Sequence, residues 1–212
     1  MDKKKFKDGF LCGVDNKEIL SKEEKQRVTD LADDLISCQL MELPNDGNYR
    51  KVVSEVQKHH HTKSCRKYNG ECRYGFPKLP SRRTILAQPL PITINASDTE
   101  AQKAEKERER QDKLTKRMDR LRKAKDILEQ KDLDEEFPNM TIETLCAKIG
   151  CTVEEYEEAL GTTRNGKVLI MKRDVKDRFI NNYNPEMLDA WNANMDIQLA
   201  LDPYAVITYI VS

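Results

Sequence analysis

The chain has 212 residues, 35% of them charged, and Lys+Arg equals Asp+Glu at 37 each, so its formal net charge is zero. That balance excludes whole-molecule attraction to nucleic acid or to an anionic surface and leaves only local patches to supply it. A mean hydropathy of −0.78 assigns much of the chain to solvated helix faces and loops.

In chain order, Ser21 to about Leu40 reads as a helix: Ser21 and Glu24 have capping-box spacing, and Val28, Leu31 and Leu35 recur at helical intervals. Pro44-Asn45-Asp46-Gly47 is a turn, and a short helix from Tyr49 to Lys58 follows, with Val52, Val53 and Val56 on one side. From His59 to Pro91 no period is visible, and His, Cys, Gly, Pro and Arg dominate. Ser97 to Lys131 is a charge-dense helix with a narrow seam of Leu114, Met118, Leu121 and Leu128, with Lys125 at the missing step. Thr141 to Leu160 gives two short helices joined at Gly150-Cys151, the second capped by Thr152 and Glu155. Lys167–Lys172 reads as a strand, Pro185 opens a helix to Asn194, Met195–Leu201 alternates as a strand, and Asp202-Pro203 starts a last helix to Ser212.

No apolar run reaches the roughly 18 residues of a membrane span. The opening MDKKKFKDGF carries no apolar stretch of signal-peptide length. The expectation is a soluble nuclear or cytosolic protein with no membrane partner, in which Cys12, Cys38, Cys65, Cys72, Cys146 and Cys151 stay reduced.

Three motifs carry less than their letters promise. Gly161 to Lys167 spells the start of a P-loop, but Val168 stands where a hydroxyl should reach magnesium, and a helix precedes where a strand should. The helix pair 141–160 has helix-turn-helix spacing, yet Glu154, Glu155, Glu157 and Glu158 on its second helix would repel phosphates, so it reads as a packing element. His59-His60-His61 resembles the paired-histidine metal motif of rolling-circle endonucleases, but a histidine replaces its apolar middle residue.

The stretch HHHTKSCRKYNGECRYGFPK offers His59, His61, Cys65 and Cys72 in the order H-x-H-x3-C-x6-C, enough for one tetrahedral zinc site. Zinc binding energy can order a segment that lacks an apolar core, and Asn69-Gly70 supplies a turn that brings the two thiolates together. Cys38 in place of one histidine, His60 in place of either neighbour, or a surface loop with no metal remain open from the letters alone. Arg66, Lys67, Arg73, Lys78, Arg82 and Arg83, with Lys63, surround this cluster and interleave with Tyr68, Tyr74 and Phe76. Positive charge with stackable rings fits single-stranded nucleic acid, and fits an ordinary basic loop equally well.

Two phrases carry a family resemblance. HTKSCRKYNGECRYGFPKLPSRRTILAQPL is similar to a block of Helitron-type rolling-circle transposases, where a His/Cys cluster leads into a CR-x-x-FPK-like phrase and a Thr-Ile. FINNYNPEMLDAWNANMDIQLALDPYAVITYIVS resembles the family's segment running from Tyr-Asn-Pro through an Asn-rich turn and a strand into the tyrosine helix. The likeness covers Ile36–Leu90 and Lys167–Ser212 and is weak elsewhere.

The resemblance implies single-stranded DNA as partner and a nicking reaction in the complete protein. In that reaction a tyrosine attacks phosphorus while a divalent ion such as magnesium polarises the phosphate. Tyr209 matches the first of two tyrosines four residues apart, which one helix face would aim at one phosphate. The second tyrosine would fall just past Ser212, the catalytic histidine pair ahead of Met1, and a helicase further on in the remainder of the polypeptide. The chain is therefore expected to be inactive alone, and Tyr209 reads alternatively as a packing residue beside Val206.

The resulting expectation is an α+β, helix-rich chain. Residues 1–48 form an N-terminal helical segment, 49–96 a zinc-loop module, 97–136 a charged helix, 137–166 a helical pair, and 167–212 a partial antiparallel-sheet endonuclease piece. A non-catalytic zinc-dependent binding module, or a decayed transposon remnant, is the alternative.

Overall fold

A computed structural model of the chain describes residues 20–40, 51–66, 70–130, 133–136, 139–199 and 201. Cys12, the Pro44 turn, Lys67, Tyr68 and the expected helix carrying Tyr204 and Tyr209 lie outside the described residues.

Among those residues the protein is α+β, with six α-helices and a three-stranded mixed sheet. Helix α1 (Lys22–Leu35) begins at the expected capping box, with Ser21 and Glu24 each accepting the other's backbone N–H. It stops short of Leu40 because Ile36 turns extended and Ser37 pairs with Tyr183 through two backbone bonds of 2.7 and 2.8 Å. Ala32, Ile36 and Cys38 then pack against Met171.

Strand β1 (Ile85–Pro89) is the centre of the sheet, a strand the sequence reading did not find. Its three middle residues are all buried, so it lacks the alternation that marks a half-exposed strand. β2 (Thr162–Thr163) joins it in parallel and β3 (Val168–Ile170) antiparallel, with Gln88 opposite Thr162 and Leu86 opposite Leu169. The expected antiparallel sheet is thus corrected to a mixed one, because its central strand comes from the His/Cys segment rather than from the C-terminal one. Met195–Leu199 forms no strand: Ile197 makes one backbone bond to Asn182, and Ile197 and Leu199 pack on the Ala32–Met171 cluster instead.

The largest core gathers on the C-terminal half of α2 (Glu100–Leu128), which opens at a Thr99–Gln102 capping box. Leu114, Ala124 and Leu128 are its buried residues, and Ala124 rather than exposed Lys125 fills the gap in the seam. Short α3 (Leu133–Glu136), α4 (Ile142–Ile149) and α5 (Val153–Leu160) close over it through Leu133, Leu145, Cys146, Tyr156 and Leu160. Gly150 between α4 and α5 has φ +75°, a left-handed position where a side chain would be strained. The acidic face of α5 meets arginines: Arg117 pairs with Glu158 at 2.6 Å, Arg120 with Glu155, and Arg83 with Glu157 at 3.3 Å.

A third cluster joins Val53, Ile180 and Tyr183 to Leu188 of α6 (Pro185–Trp191), whose first turn is capped by Asn184. The segments are knitted by Arg173, 2% exposed, whose guanidinium donates to the carbonyls of Asp177 at 2.7 Å and Ile180 at 2.5 Å and to Asn182 at 3.0 Å. Buried polar groups hold only when partnered in this way. Among the described residues no helix is long and apolar enough to cross a membrane.

Candidate metal centre

The expected Tyr49–Lys58 helix is, within the described part, a turn of helix that widens into a π-helical turn at Val53–Gln57. Val53 and Gln57 are fully buried and anchor it. The chain leaves the turn alongside residues 179–181: Asn181 N–H donates to Gln57 O at 2.8 Å, Lys58 bridges Ile180, and His59 N–H donates to Phe179 O at 2.7 Å. An extended segment alternates its side chains. His59 and His61 therefore share the inner side, and His60 is left exposed on the other.

After His61 the chain turns back. Thr62 N–H donates to Cys65 Sγ at 3.2 Å, and Arg73 N–H donates to Cys65 O at 2.8 Å, which lays Cys72 beside Cys65. Gly75, at φ +72°, then donates its N–H to Cys72 O at 2.8 Å.

The result brings together all four expected ligands: one donor atom from each of His59, His61, Cys65 and Cys72 lies within 4.8 Å of every other. Cys65 Sγ is 3.5 Å from His61 Nδ1, and Cys72 Sγ is 3.4 Å from His59 Nε2. Zinc–sulfur and zinc–nitrogen bonds of ordinary length at a tetrahedral angle separate S from N by about 3.6 Å, so these two sulfur–nitrogen pairs are compatible with zinc. Four protein donors fill a structural site and leave no open coordination position for a substrate. Cys38 is not among them; it is 1% exposed, and its thiol donates to Lys172 O at 3.1 Å in the Ala32 cluster. His60 points away, so both substitutes left open by the sequence are set aside.

The electrostatics suit the donors. Burial, then the positive charges of His61, His60, Lys78 and Arg66, hold His59 below its ordinary pKa. Burial and Arg66 do the same for His61. Both imidazoles thus keep a lone pair free at neutral pH. Burial raises the Cys65 thiol, but donation from Thr62 N–H, the contact with Cys72 and nearby Arg66 together bring it below its usual value.

Rings wall the site. His59 stacks on Phe76 at 4.4 Å and 7°, Tyr74 meets it edge-on at 5.7 Å, and Phe179 meets His61 edge-on at 5.6 Å. The second nitrogen of His61, Nε2, is shut off from solvent and has no hydrogen bond, but lies 3.2 Å from Glu129 Oε1. Glu129 caps the end of α2 and also pairs with Arg66. A carboxylate behind a metal-ligating histidine fixes its ring and raises its basicity. Sequence reasoning missed Glu129 because it sits in a helix crowded with other acids.

No family model, curated protein or solved structure matches the chain.

The five expected DNA contacts among the described residues do not form one patch. Arg66 is held by Glu129, Arg82 by Glu143 and Arg83 by Glu157, the last two on the α4–α5 side. Arg73 donates to the Tyr74 hydroxyl and lies over its ring. Lys78 donates to Tyr74 O at 2.7 Å, sits 4.7 Å from the centre of Phe76, and is lowered in pKa chiefly by burial. Lys67 and the expected nucleophile Tyr209 lie outside the described residues. Around Gly161–Lys167 the order is helix, short strand, turn and strand, which does not present a helix N-terminus to a phosphate.

Proposed function

We propose that the chain is a zinc-organised, single-strand DNA-binding segment of a DNA-processing protein of the Helitron-type rolling-circle kind. The observation that carries this reading is that donor atoms of His59, His61, Cys65 and Cys72 all lie within 4.8 Å of one another, three of the four residues falling in the phrase that also bears the family resemblance. His59 and His61 would hold the ion through nitrogen, and Cys65 and Cys72 through sulfur. The ion would supply folding energy to a loop short of apolar residues, and no bond-making chemistry. The nicking step belongs to the complete protein, with Tyr209 as candidate nucleophile and magnesium or a similar ion as its cofactor. A non-catalytic zinc-dependent binding module is the second reading, and the closed donor set favours it equally.

The test is binding of a labelled single-stranded oligonucleotide by the zinc-loaded chain across a salt series, repeated after chelation. Salt-sensitive binding that disappears with the metal supports the reading, because phosphate contacts release counterions. Equal binding with and without zinc contradicts it.

A further inference from the structure

Beside the metal centre lies an open cleft of about 960 Å³, between the His59–Arg66 segment and the C-terminal end of α2. It is lined by the candidate ligands His59 and His61 and by Lys58, His60, Lys63 and Arg66, with Phe179 and Glu129, its single carboxylate. Arg178 adds a further positive charge from behind, where its Nε donates to Leu128 O at 3.0 Å. Glu129 is already engaged by Arg66 and faces His61. Lys58 and Lys63 are exposed and have no acidic partner among the described residues. The cleft therefore has a surplus of positive charge, while Arg82 and Arg83 across the molecule are matched by acids.

We propose that this cleft is the seat of the single strand, with Lys58 and Lys63 on its phosphates and the His60 and Phe179 rings available to its bases. This rests on the DNA-binding reading above and deepens it, keeping Arg66 among the expected contacts and putting Lys58 and Lys63 in place of Arg82 and Arg83. The extended segment that carries the candidate ligands His59 and His61 also carries Lys58 and His60, and all four line the cleft, so one segment serves both sites. Cations along a groove with a few rings bind single strands with little sequence preference, because every base has a face to stack. The metal matters here by fixing the path of residues 58–66.

The experiment uses the zinc-loaded chain and a fluorescein-labelled oligothymidylate, with anisotropy read over a salt series. Lys58→Ala with Lys63→Ala is compared with Arg82→Ala with Arg83→Ala. All four side chains are exposed, and the charge-reversed pair Lys58→Glu with Lys63→Glu gives a graded second reading. The lysine pair is expected to weaken binding about tenfold and to reduce the salt slope by about 1.4, two single-strand phosphates' worth. The arginine pair is expected to change affinity by less than about twofold, since its charges are already compensated. Loss with the arginine pair and none with either lysine pair overturns the cleft while the DNA-binding reading stands. No salt-sensitive binding by the unaltered chain overturns both. A polyglutamate peptide that competes as well as the oligonucleotide overturns the nucleic-acid occupant.

Discussion

Glu129 stands where a helix ordinarily disfavours an acid, because the carbonyl end of the helix dipole is negative. Lys125 in the last turn and Arg178 on Leu128 O are the usual compensation. Arg66 and the His61 ring add two partners that belong to the metal loop. Glu129 would then be the link through which the long helix orients His61 as a metal ligand. Glu129→Gln should lower zinc affinity about 10- to 100-fold in a chelator competition, the usual loss when such a carboxylate is removed. Unchanged affinity would reduce Glu129 to a surface ion pair. Asp177 makes the opposite case. It is 1% exposed, its Oδ1 accepts Leu40 N–H at 3.2 Å, and its Oδ2 has no partner among the described residues. Burial holds its carboxyl above the ordinary value, only partly opposed by Leu40. A raised folded pKa gives stability that is full below the unfolded value of about 3.9 and is lost as pH rises through the folded value. Asp177→Asn, which keeps the Oδ1 acceptor and removes the charge, should therefore melt higher than the parent at pH 7. That gain should vanish near pH 4, as thermal unfolding at the two pH values would show; a lower melting point at pH 7 would contradict it.

At the level of elements, local signals were legible and non-local ones were not. Ser21 with Glu24 and Thr152 with Glu155 start helices where their spacing requires. The His/Cys group that could hold a metal was likewise readable, since its four residues lie within one short stretch. β1 was not readable, because Leu86, Ala87 and Gln88 are all buried, on both faces of the strand, which erases its period. Met195–Leu199 erred the other way: its alternation is real, but no strand edge pairs with it. Arg82 and Arg83 looked like free cations because their glutamates lie 61 and 74 residues away in the chain. The helix pair is tied to the metal segment by Tyr156, whose hydroxyl donates to Pro80 O at 3.0 Å in a buried setting. Tyr156→Phe leaves that carbonyl unpaired and should cost about 1–2 kcal/mol in denaturant unfolding. A change below about 0.5 kcal/mol would show that the tie carries no net stability.

Across the whole molecule, zero net charge conceals a division of labour. Acids on α4 and α5 neutralise Arg82, Arg83, Arg117 and Arg120 at the surface of the helical core. The metal side keeps Lys58 and Lys63 unmatched among the described residues. On this account one ion shapes the working face of the protein. The most direct test is metal content of the purified chain by elemental analysis, paired with cobalt substitution, whose visible absorption is intense in tetrahedral sites and weak in octahedral ones, with thiolate ligands adding a near-ultraviolet charge-transfer band. The account predicts one zinc per chain and an intense cobalt spectrum, both lost in Cys65→Ser with Cys72→Ser and both kept in Cys38→Ser. A chain that takes up no zinc, or one whose metal survives loss of Cys65 and Cys72, would contradict it.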